Sequence, residues 1–201
     1  MSFTLVIVII TALVSYSSFT NDNLYNKLIL WPKRMDNPSE YYRLLSSGFI
    51  HADWMHLIFN MLALFLFGRN VEAIFASIDM HWLFLLLYLG GIIAAALPSF
   101  IKHRDDGYYR SLGASGGVAA VLFSFVYFAP WNLIYVWFIP IPAIIGAVAY
   151  LAYSAYMSRH GRDAINHDAH FWGAVYGFLL TLIFEPSHGR IFFEQVIRPE
   201  F

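Results

Sequence analysis

Apolar runs of membrane-crossing length dominate the 201-residue chain, and short polar stretches separate them. Six such runs stand out, at about 3–19, 54–76, 81–101, 113–130, 139–157 and 168–185. Each meets or approaches the ~20 residues that cross a bilayer's hydrocarbon core. A backbone in lipid must satisfy its own hydrogen bonds, so all six are expected to be helices. The fold expected is an all-α membrane protein, a six-transmembrane-helix bundle forming one domain over 1–201. The run at 3–19 lacks a basic leader and an A-x-A site, so it reads as a true first helix rather than a signal peptide.

The connections differ in character. Residues 20–53 carry Pro32, Pro38 and mixed charge, and their later part alternates aromatic and polar residues, as suits a segment lying partly in the interface. Residues 102–111 and 158–168 are polar loops. Residues 130–142 are aromatic and bounded by prolines, and are expected to hug the membrane surface. The tail 186–201 carries Ile191, Phe192, Val196 and Ile197 at helical spacing, which suits a short interfacial helix.

Composition agrees with the runs: 59% of residues are hydrophobic and 12% charged, against about 25% charged in soluble domains. A net charge of −1 gives no reason to expect nucleic acid as a partner. With no cysteine, thiolate chemistry and disulfides are excluded.

Polar side chains inside such helices are costly and mark function by default. His51, His56 and Asn60 lie near the start of the second run, and His56 and Asn60, at i and i+4, share a helix face. Ser115 opens the fourth run among Gly113, Gly116 and Gly117; His167 and His170 open the sixth. Even-numbered spans of a six-span bundle all start on one side of the membrane. These residues therefore share a face and a depth, whichever way up the chain sits. The small-residue stripe Ala169, Gly173, Gly177 on the sixth run, matched by Gly116 and Ala120 on the fourth, would bring the two helices close. That register puts Ser115 within reach of His170.

A serine hydroxyl needs a base, and His170 is the candidate because imidazole titrates near working pH. The Ser115 backbone N–H, the Asn60 amide and the His56 ring are candidate donors to an oxyanion. Gly113 would let the loop turn into the helix, and Gly116 and Gly117 would let a neighbouring helix or substrate approach. Asp168 lies on the wrong side of a helix to orient His170. It and Asp163 read as solvated loop charges, which leaves a Ser–His dyad.

These residues resemble those of the rhomboid family of intramembrane serine proteases. The resemblance rests on GASG at 113–116, on the H-x-x-x-x-H-x-x-x-N of His51, His56 and Asn60, and on AHFWGAVYG at 169–177. Tyr42–Arg43 is similar to the family's Trp–Arg pair, and Gly68 with Glu72 to its G-x-x-x-E. The resemblance implies hydrolysis of peptide bonds in or near transmembrane segments of other proteins, without metal or cofactor. It implies Ser115 as nucleophile, His170 as base, and His56 and Asn60 as oxyanion donors. It also implies a gate over roughly 140–168 and a preference for a small residue before the cleaved bond. A bacterial inner membrane is the expected location, with the lipid bilayer and transmembrane substrates as partners.

Two departures accompany the resemblance. Many members carry an aromatic four residues after the nucleophile, on which the imidazole stacks; here that position is Ala119. The family's usual orientation would also put nine Lys and Arg residues on the outer side against three on the inner, contrary to the positive-inside rule. Two rival readings differ in class. One is a non-proteolytic membrane protein, a transporter or inactive rhomboid-like chaperone. The other is a metalloenzyme using His51, His56, His167 and His170, although no H-E-x-x-H occurs.

Overall fold

A computed structural model describes residues 2–136, 138–160 and 166–199, except the side chains of Val136, Ser158, Arg159, His160 and His167. Asp163 and the middle of the 158–168 loop lie outside the described residues.

The helices are α1 (Phe3–Phe19), α2 (Asp22–Leu28), α3 (Arg43–Ser46), α4 (Trp54–Ser77), α5 (Leu83–Lys102), α6 (Ser115–Phe128), α7 (Ala143–His160), α8 (His167–Phe184) and α9 (Ser187–Ile197). Helices α4 and α5 are long and apolar enough to cross a membrane, and α1, α6, α7 and α8 contribute shorter apolar stretches.

Helix α1 shows which way the chain faces its solvent. Its buried positions are Thr4, Ile7, Thr11, Ser15 and Ser18, a stripe at helical spacing that is mostly hydroxyl-bearing. Its outer positions include Leu5, Ile9, Ile10 and Leu13, all exposed. Small hydroxyl residues inside and large apolar ones outside is the arrangement for a surface facing lipid. Helix α4 also turns large apolar residues outward, Ile58, Phe59, Leu62 and Leu66, while its buried face, with Leu57, Met61, Leu64, Val71 and Phe75, is apolar as well.

Helix α6 sits at the centre, buried along most of its length between α4, α5 and α8. Its contact with α8 is backbone on backbone. A Cβ on Gly173 would fall 2.2 Å from the Gly116 carbonyl oxygen, and one on Gly177 2.2 Å from that of Ala120. The small-residue stripe read from the sequence is therefore the α6–α8 seam, and Thr181 closes it, its hydroxyl donating to the Gly177 carbonyl at 2.7 Å and hydrogen-bonded with the Ser124 hydroxyl at 2.8 Å. On its other side, a Cβ on Gly116 would fall 2.3 Å from Ala95 Cβ of α5, and Gly117 lies against Tyr88. Gly116 and Gly117 thus admit neighbouring helices.

The all-helical expectation is corrected at 130–142. Strands β1 (Leu133–Val136) and β2 (Ile139–Pro142) form an antiparallel hairpin in which Leu133 pairs with Pro142 and Tyr135 with Pro140. The segment is rich in Ile, Val, Leu and Tyr, which suit a pleated ribbon. Pro140 and Pro142 lack a donor, which only an edge strand tolerates, and both strands of a lone pair are edges. The fifth helix accordingly starts at Ala143 rather than 139. Ala143 N–H donates to the Asn132 carbonyl at 2.9 Å and fastens it to the hairpin.

Two polar staples complete the frame. Arg43, buried in the 20–53 segment, donates to Glu40 Oε2 at 2.5 Å and to the carbonyls of Asn26 and Ile29 at 2.8 and 2.9 Å. Glu72 of α4 receives the N–H groups of Phe3 and Thr4 and the hydroxyls of Ser2 and Thr4, all within 3.0 Å. A carboxylate at a helix N-terminus meets both its unpaired donors and its dipole. Gly68, one turn earlier, leaves room for Thr4.

Candidate active site

A loop held from several sides carries Ser115. Leu30 and Ser111 exchange backbone hydrogen bonds at 3.0 and 3.1 Å, and Gly113 N–H donates to the Ser47 carbonyl at 2.9 Å. Gly113 has φ +116, a backbone conformation that favours glycine, so the tight turn expected there is present. Its missing side chain also leaves space for the His56 ring, which a Cβ would meet at 2.7 Å.

His51 anchors the same loop from beneath. It is fully buried. Ala114 N–H donates to its Nε2 at 3.3 Å, and its Nδ1 lies 2.9 Å from Ser15 Oγ. Since Nε2 accepts, Nδ1 carries the proton and donates to Ser15, whose hydroxyl donates on to the Phe49 carbonyl. Burial first, and then the neighbouring His56, push the His51 pKa down to about 3, so the ring is neutral.

Three helices then begin beside one another. Asp53 caps α4 by accepting from His56 N–H at 2.8 Å, which puts His56 in the first turn and Asn60 one turn on. Asn60 is buried and donates to the His56 carbonyl at 2.9 Å. Asn166 caps α8 by accepting from Ala169 N–H at 3.1 Å. Its amide also donates to Ser99 Oγ of α5 and to Ser111 Oγ of the loop, at 2.8 and 3.0 Å. Asn166 thereby ties the helix bearing His170 to the loop bearing Ser115. Helix α6 is different. Its N-cap residue is Ala114, and no side chain caps it. Its first N–H groups have no partner within the helix, and the positive end of its dipole lies at Ser115.

These starts surround a cavity of about 580 Å³ whose lining includes His56, Asn60, Ser115 and His170. Met55, Phe59 and Val118 give it apolar walls, and Tyr25 and Arg110 also border it. The four residues singled out by the sequence, spread over 115 positions and three helices, thus face one space. Among the described residues the Ser115 hydroxyl makes no hydrogen bond, so no Ser115–His170 bond is present there. A larger hollow of about 740 Å³, between the end of α6 with residues 129–132 and α9, holds none of these residues.

Two features escaped the sequence reading. The imidazole of His170 stacks on Tyr150 of α7, with ring centroids 5.4 Å apart and planes 21° from parallel. Nothing in the run "AVAYLAYSAY" distinguishes that tyrosine. The Asn166 cap had a signal, an Asn directly before a helical run. Asp168 is corrected: it lies in the first turn of α8, not in a loop, and pairs with Lys102 at 3.2 Å. Among the described residues no three His, Asp or Glu side chains converge as a metal cluster would.

The profile of the family described as Rhomboid domain matches residues 38–187, three-quarters of the chain. The chain belongs to the rhomboid family. Rhomboid protease GlpG of Haemophilus influenzae is 31% identical over 104 residues, 52% of this chain and 49% of that protein. Putative rhomboid protease YdcA of Bacillus subtilis is 27% identical over 150 residues, 72% of this chain and 67% of that protein. RHOMBOID-like protein 12, mitochondrial, of Arabidopsis thaliana is 27% identical over 150 residues, 67% of this chain and 44% of that protein. The chain thus spans about half the length of two of these relatives and two-thirds of the third. Rhomboid proteins are membrane proteins, and proteases are among them, which places this chain in a membrane-protease family.

Proposed function

We propose that this rhomboid protein is an intramembrane serine endopeptidase cutting peptide bonds in or near transmembrane segments of other proteins. One observation carries the reading: Ser115, His170, His56 and Asn60, from three helices, line one cavity at the uncapped start of α6.

The chemistry follows from the positions. Ser115 Oγ attacks the scissile carbonyl while His170 takes its proton. Negative charge gathers on the carbonyl oxygen, where the Ser115 N–H, the helix dipole and donors from Asn60 and His56 stabilise it. The C–N bond breaks as His170 returns the proton to the leaving amine. Water, deprotonated by the same imidazole, then hydrolyses the acyl-enzyme and regenerates Ser115. The Ser115–His170 hydrogen bond forms in the substrate complex, since catalytic hydrogen bonds often tighten only there.

The membrane setting belongs to the same proposal. Helices α1, α4, α5, α6, α7 and α8 are the six crossings of one domain over 1–201. The 14 residues of α6 rise about 21 Å, short of the ~30 Å hydrocarbon core. Ser115 then lies below the headgroups, and the cavity is its route to water. The orientation is the family's usual one, in a bacterial inner membrane.

The test is cleavage of a single-span membrane protein by purified protein in liposomes, with the cut site mapped, set against Ser115→Ala. Wild type should cut and label with a fluorophosphonate, and Ser115→Ala should do neither. Equal behaviour of the two would remove the nucleophile and the reading with it.

A further inference from the structure

Helix α7 turns one stripe inward: Ala143, Ala147, Tyr150 and Ser154, at i, i+4, i+7 and i+11. Ala143, Ala147 and Ser154 are buried, and Tyr150 lies among them. Ile145, Val148, Tyr153 and Tyr156 of the same helix are exposed. The stripe packs against α8, and Tyr150 is where it reaches both the cavity and the His170 ring. On α6, the position one turn after Ser115 is Ala119, buried and without a ring to offer.

We infer that Tyr150 is the positioning residue for His170, so that a helix separate from those carrying Ser115 and His170 sets the alignment of the base. The inference rests on the protease reading above. A near-parallel ring covers the face of the imidazole, and so fixes its plane without competing for the two nitrogens at its edge. It does a second thing when the reaction runs. Taking the serine proton makes His170 an imidazolium, and a cation within about 6 Å over an aromatic face is stabilised by the ring's negative π surface. The stack therefore strengthens as the proton moves, which lowers the barrier rather than tightening substrate binding. A further consequence is coupling: when α7 moves off α8, the base loses its support.

The experiment compares Tyr150→Phe and Tyr150→Leu with wild type and Ser115→Ala. It measures kcat and KM for a transmembrane substrate, the rate of fluorophosphonate labelling, and the thermal unfolding midpoint. Phenylalanine keeps the face and should stay within about twofold of wild type. Leucine keeps bulk but no π surface; it should lower kcat and the labelling rate about tenfold with KM nearly unchanged. Should Tyr150→Leu not fold, Tyr150→Met supplies the ringless comparison. Wild-type kcat in a folded ringless variant would overturn the inference. So would a change confined to KM, which would make Tyr150 a substrate contact, or equal loss in Phe and Leu, which would assign the effect to the hydroxyl. Wild type no better than Ser115→Ala would instead sink the protease reading, and this inference with it.

Discussion

Asn60 and Glu72 sit on the same helix, about 18 Å apart along its axis, and each heads a polar cluster inside an apolar bundle. At Glu72 the account closes. The carboxylate receives two backbone N–H groups and two hydroxyls, and α1 gains a cap it otherwise lacks apart from Ser2. At the Asn60 end the account stays open. Ala114 leaves the start of α6 without a side-chain cap, the Ser115 hydroxyl has no partner among the described residues, and a cavity of about 580 Å³ lies in front of both. Leaving polar groups unpaired in such a bundle costs free energy. The Glu72 cluster holds helices together, whereas under the proposed protease reading the other holds donors ready for a charge that arrives only with substrate.

The comparison breaks first at Asn60. Asn60→Ala should lower kcat by about a hundredfold to a thousandfold, the usual cost of one oxyanion donor. Its unfolding free energy should change by only about 1 kcal/mol, because the side chain's bond is to its own helix. Steady-state cleavage and thermal unfolding on the same preparations read both. An unchanged kcat would hand the role to other donors. A large fall in stability would move Asn60 into the class of Glu72.

Glu72→Ala should show the reverse pattern. Its four bonds involve a charged acceptor, so the unfolding free energy should fall by about 3 kcal/mol, while kcat per folded molecule stays within about twofold. Lost kcat at unchanged stability would mean that the two ends are coupled in catalysis.

What the sequence made legible follows the same division. The apolar runs stand out because length and composition alone announce them, and five of the six helices lie within about two residues of the expected bounds. The 130–142 hairpin did not stand out, since four-residue strands flanked by proline carry too short a pattern. Ser115, His56, Asn60 and His170 were legible because polar residues in greasy helices are conspicuous. Tyr150 was not, being one aromatic among many. The Glu72 partners were hidden too, because Ser2 and Thr4 lie about 70 positions away and only the packing of α1 on α4 joins them. The charge count is similar. Arg43, Lys33, Arg104 and Lys102 pair with Glu40, Asp105, Asp36 and Asp168 on their own side. These bases are part of how the loops fold together, which a count of positive charges does not see.

His51 sharpens the comparison because it stands at the open end yet is satisfied like Glu72. Both ring nitrogens are engaged, by Ala114 N–H and Ser15 Oγ, so it should act on folding. Its folded pKa of about 3 lies below the ordinary 6.5. Between those values the unfolded chain binds a proton that the folded chain refuses. Its contribution is therefore complete above about pH 6.5 and is lost as pH falls, at about 1.4 kcal/mol per pH unit. From pH 6.5 to pH 5 that amounts to about 2 kcal/mol. His51→Gln should be less stable than wild type at pH 7 but lose stability less steeply on acidification, as unfolding curves across that range would record. Parallel slopes would mean that His51 is not held neutral by the fold, and that hydrogen-bond satisfaction does not separate folding residues from reacting ones at this end of the molecule.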